Sequence, residues 1–148
     1  MKRKTPPKQT SPKIKSERKS NKTISYFNFN GCLAHPTPSG YKFYKTTQQK
    51  MNNAIKLNHP TFVLTAGQTN NNKQKVLNFF KNAGYKNKVR VIFTQNPLEK
   101  ATRMKNINPN CNRPINYYNN LKATNLSAKL IKRSMIKYPF TFHHVIHE

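Results

Sequence analysis

The side chains that could do chemistry in this chain are few on the acidic side and many on the basic side. There are three carboxylates, Glu17, Glu99 and Glu148, and no Asp, against 28 Lys and Arg, for a formal net charge of +25. Metal-dependent nucleases, polymerases, kinases and P-loop NTPases hold Mg²⁺ on carboxylates. Such a site cannot be assembled from one Glu in a Lys- and Pro-rich N-terminal stretch, one beside Pro97 and one at position 148. No Gly-rich phosphate-binding fingerprint is present. Cys32 and Cys111 are too few for a disulfide framework and too far apart for tight metal-ligand spacing. A metal set of Cys32, His35, His143 and His147 would require the first and last strands to be neighbours. The sequence therefore predicts no catalytic residue, no metal and no cofactor.

Two short stretches resemble nuclease motifs in part. His143-His144-Val145-Ile146-His147 resembles the opening of an HNH-type motif, but the downstream Asn and His are missing. Leu98-Glu99-Lys100 resembles part of a restriction-type motif, with no upstream Asp to complete it. An enzyme acting on nucleic acid with His143, His144 or His147 as general base is the catalytic alternative.

The cations carry more information. Residues 1–23 hold Lys2, Arg3, Lys4, Arg18 and Lys19 among other basic residues, with three Pro and no aromatic residue. Such a segment cannot bury enough apolar surface to offset its ordering entropy, so a disordered basic arm is expected. Residues 96–122 read as a basic, Asn- and Pro-rich loop in which Arg103, Lys105, Arg113 and Lys122 are interleaved with Tyr117 and Tyr118. Cations would pair with phosphates and the tyrosines would stack on bases. Near the C-terminal end, Lys129, Lys132, Arg133 and Lys137 share one side of a predicted helix with no carboxylate to neutralise them.

The elements that would position these groups follow from periodicity. Thr61–Gln95 reads as strand, helix and strand, with Thr69 or Asn70 as N-cap and Gly84 as stop. A crossover helix makes the two strands parallel. The turn Gly67-Gln68-Thr69-Asn70, with Lys73 one turn in, is a weak candidate for an anion. Ile24–Leu33 reads as a strand with one covered face, Phe27 and Phe29 on one side and Tyr26, Asn28 and Asn30 on the other. His35–Gly40 reads as a loop. Thr46–Leu57 reads as a helix opened by a Thr46/Gln49 capping box. Asn125–Lys137 reads as a helix and Phe140–His147 as a closing strand.

The expected fold is a small α/β domain over residues 24–148, with a mixed sheet of about four strands in the order β-α-β-α-β-(loop)-α-β. The expected function is structural nucleic-acid binding, with RNA favoured over DNA. A core with basic extensions is similar in composition to ribosomal proteins, which implies a place in a ribonucleoprotein assembly. A viral or phage protein that packages DNA is the alternative. With neither a transmembrane run nor a signal-peptide core, the sequence predicts an intracellular protein, ribosome-associated, virion-internal or nuclear.

Overall fold

The computed structural model describes residues 23–66, 69–107, 113–122 and 124–146. All of the expected arm except Thr23 lies outside these residues, as do Gly67, Gln68, Cys111 and His147. The chain runs β1 (Ile24–Asn28), β2 (Ala34–Thr37), β3 (Gly40–Phe43), α1 (Lys45–Lys56), β4 (Thr61–Ala66), α2 (Asn70–Asn82), β5 (Arg90–Thr94), α3 (Pro97–Ile107), β6 (Ile115–Asn119), α4 (Leu126–Ser134) and β7 (Phe140–His144). Among the described residues no helix is long and apolar enough to cross a membrane.

Five strands form one sheet in the order β5-β4-β1-β6-β7, and every neighbouring pair is parallel. The expected parallel pairing of the strands flanking α2 is found as β4 beside β5. The strand count exceeds the expected four because β6 lies inside the stretch read as a loop. Residues 96–122 instead hold α3 and β6. Pro97 opens α3, where the missing N–H costs nothing. The Glu99 N–H donates to Asn96 Oδ1 at 2.8 Å, and Glu99 Oε1 accepts from the Gln95 N–H at 2.6 Å, so the helix start is capped from both sides.

β1 is the central strand, and all five of its residues are buried. The expectation of one covered face fails because helices pack on both. Ile24 and Tyr26 join Leu64, Ala101, Met104, Ile131 and Met135 on the α3/α4 side. Phe27 and Phe29 join Met51, Val63, Val76 and Phe80 on the α1/α2 side. The segment read as a loop at 35–40 is mostly strand: β2 and β3 pair antiparallel as a small hairpin. Phe43 of this hairpin packs on Phe79 of α2 at 4.4 Å between ring centroids.

The helix ends obey local chemistry with one exception. Thr69 caps α2 through the Asn72 N–H at 3.1 Å, and Gly84, at φ 88°, follows its C-terminal end in the left-handed region. Asn125 caps α4, its Oδ1 accepting from the Ser127 N–H at 2.8 Å. The capping box expected at Thr46 and Gln49 is not formed. α1 begins after Tyr44 with no side-chain cap, and the Tyr44 N–H is tied to the Leu33 carbonyl at 2.9 Å. The hairpin closure sets this start.

Candidate functional site

In a parallel sheet wound in both directions, ligands bind outside the carboxyl ends of the strands, where successive connections diverge. Here that point lies between β1 and β6. The chain leaves β1 toward β4 and β5 on one side, and toward β6 and β7 on the other. Three of the five strands, β1, β5 and β6, end in a buried polar side chain, Asn28, Thr94 and Asn119, and the penultimate residue of β4 is the buried Thr65. Among the described residues the hydroxyls of Thr65 and Thr94 have no hydrogen-bond partner.

At the divergence point Lys100 Nζ, from the first turns of α3, donates to Asn28 Oδ1 at 2.8 Å. The Asn28 amide nitrogen donates to the Asn30 carbonyl at 3.2 Å and reaches Asn120 Oδ1 at 3.5 Å. Gly31 permits this closeness: its φ is 79°, and a Cβ there would lie 2.7 Å from Asn120 Nδ2. Asn119, at the end of β6, donates to the Tyr117 hydroxyl at 2.6 Å and accepts from the Leu121 N–H at 3.2 Å. Cys32 is buried below, and burial pushes its thiol up to about 12. Burial also pulls Lys100 below the ordinary ammonium range. Glu99, the one carboxylate among the described residues, is turned away to the Gln95 N–H. This end of the sheet thus offers an ammonium and several amides, with no carboxylate among the described residues. An incoming anion can take Lys100 from Asn28 and restore the charge stabilisation that burial removes.

The cations read from the sequence fall elsewhere. Lys129, Lys132, Arg133 and Lys137 are exposed along and just beyond α4, while Ala128, Ile131 and Met135 face the core. Arg103 and Lys105 are half-buried on α3, which packs beside α4. Lys122 is exposed beyond β6. Arg113 is half-buried with its charge near the Tyr26 hydroxyl, so it belongs more to the core rim than to the open surface. Lys2, Arg3, Lys4, Arg18 and Lys19 lie outside the described residues.

The tyrosine pair splits. Tyr117 is fully buried against Phe140 and Phe142 and is not available to stack on a base. Adjacent strand residues point to opposite faces, and Tyr118 stands half-buried on the other side. The metal set of Cys32, His35, His143 and His147 is also corrected. β6 separates β1 from β7, and His143 is bonded to Asn116. Among the described residues no group of three His, Cys, Asp or Glu is placed to hold a metal.

Sequence reasoning missed Asn28, Lys100, Asn119 and Asn120. Their signal was an amide following each of two buried strands, and it was hidden by the abundance of Asn throughout the chain. Comparison with family models, with curated proteins and with solved structures returned no match.

Proposed function

We propose that this protein binds nucleic acid through its phosphates, with RNA favoured over DNA, and acts by binding without turnover. The observation that carries this reading is the basic α3/α4 layer. Lys129, Lys132, Arg133 and Lys137 stand exposed with no carboxylate to answer them, the single described one being committed to a backbone N–H. A domain of this imbalance repels itself and gains most from a densely anionic partner. RNA is favoured because the Lys- and Arg-rich sequence at 1–23, read as an extension of the core, suits the crevices of folded RNA better than a uniform groove. The partners implied are RNA and other members of a ribonucleoprotein assembly such as a ribosome. DNA packaging in a virion or nucleus is the alternative.

The crevice at Lys100 favours a second reading of the same chemistry, in which a phosphate group is held at the sheet's carboxyl end. It would serve as an anchoring point for one phosphate of the polymer or for a separate phosphorylated ligand.

The test is what accompanies the protein when it is isolated at low salt. Nuclease-sensitive nucleic acid, removed by ribonuclease more than by deoxyribonuclease, is the expected result. Protein free of nucleic acid under those conditions would overturn the proposal, and deoxyribonuclease-sensitive material would favour DNA packaging.

A further inference from the structure

Three rings stand in a row across the sheet on the α1 side. Phe27 of β1 stacks on Tyr118 of β6 with centroids 4.6 Å apart and planes 5° from parallel. Tyr118 stacks on His143 of β7 at 4.4 Å and 13°. The register makes this a lateral ladder, because Phe27 pairs with Tyr118 and Tyr118 with His143. The spacing matches the distance between strands, so each ring stands on its strand and faces the next. Burial falls toward the edge, from Phe27, fully enclosed, to Tyr118 and His143, both half-buried. β7 is the edge strand, and among the described residues no strand lies beyond it to continue the row.

His143 is held in place. Its Nε2 bonds Asn116 Oδ1 at 2.9 Å, which fixes the ring plane against Tyr118. Lys50, exposed on α1, is close enough for its charge to act on the imidazole. Burial and that ammonium together hold His143 below its ordinary value, so the ring is neutral near pH 7 and accepts a π-stacked neighbour without desolvating a charge.

We propose that the outward face of His143 is a stacking site for one base of single-stranded RNA, with the adjoining phosphate taken by Lys50. A base has the flat π-face that the next place in the row requires, and its backbone supplies the anion that Lys50 lacks. Charge complementarity selects this occupant over an aromatic peptide strand laid along β7. The inference rests on the nucleic-acid reading above and adds to it a base contact that phosphate binding alone would not make.

The experiment compares a short oligouridylate with an abasic strand of equal length, binding to the full chain at matched salt. The wild-type protein is expected to prefer the strand with bases by about 5- to 150-fold, the range one base–aromatic stack supports. His143→Ala should remove most of that preference and His143→Phe should retain it, while affinity for the abasic strand stays unchanged in both. Equal binding of the two strands by the wild-type protein overturns the stacking site but leaves the phosphate reading standing. Failure to bind either strand removes the phosphate reading itself. Should His143→Ala not fold, His143→Gln, which keeps a polar group toward Asn116 and has no ring, makes the same comparison. A preference for bases that His143→Ala leaves intact places the contact elsewhere and overturns the assignment.

Discussion

Lys100 is where local chemistry and function meet most closely. Its ammonium is held below the usual range by burial and, among the described residues, donates to the Asn28 amide oxygen. A lysine whose folded value is depressed binds fewer protons folded than unfolded between the two values. Stability attributable to Lys100 therefore rises as pH climbs toward the ordinary value of 10.5. We expect the melting temperature of the wild-type protein to gain on that of Lys100→Met across this alkaline window. The difference isolates Lys100 from the general relief of repulsion among the other cations. Saturating phosphate should abolish the gain, since an anion favours the charged form. A difference that is flat with pH would contradict the assignment of a strained cation. The residues of this crevice were poorly legible in the sequence. Asn28 and Asn120 look like any other Asn in a chain full of them, and Lys100 was noted only as part of a truncated motif. What distinguishes them is the turn at Gly31 and the divergence of β1 from β6, and both are properties of the folded backbone.

The elements were legible where one period dominates. The β4-α2-β5 unit is found as expected because its apolar runs, its Thr69 cap and its Gly84 stop all agree. Residues 96–122 were misread because three prolines and many amides mask an ordinary helix start. Asn96, Pro97 and Glu99 form a capping arrangement that is visible in the sequence once Pro97 is taken as the first helical residue. β6 alternates buried Ile115, Tyr117 and Asn119 with half-buried Asn116 and Tyr118, which the single-face criterion overlooks in so polar a strand. The hairpin β2–β3 was hidden by its two prolines. Its value lies in the aromatic cluster beneath it. Phe80 of α2, 3% exposed, touches Phe29, Phe43 and Tyr85, and the Tyr85 hydroxyl donates to Asn52 of α1 at 2.6 Å. Phe80 thus ties α2 to the turn after β1 and to the hairpin, and through Tyr85 to α1. Phe80→Ala is expected to cost about 3–5 kcal/mol in urea unfolding, the range for a buried aromatic ring left as a cavity. A loss below about 1 kcal/mol would show that the hairpin and α2 are not packed as one layer.

At the scale of the whole molecule the governing fact is charge. A net charge of +25 on 148 residues is carried by a fold whose core is of ordinary apolar composition on both faces of its sheet. Binding is expected to stabilise the protein by relieving repulsion as well as by adding contacts. The exposed cations of α4 and the half-buried ones of α3 lie in one layer, while the crevice at Lys100 and the ring row ending at His143 lie at the sheet's carboxyl end and on its opposite face. A polymer could engage more than one of these at once, whereas a small ligand could not. The most direct test is the salt dependence of binding to a single-stranded RNA, measured from low to physiological salt. If about ten phosphates are neutralised, log affinity should fall against log salt with a slope near −7. A slope near zero, or no binding at low salt, would contradict the account.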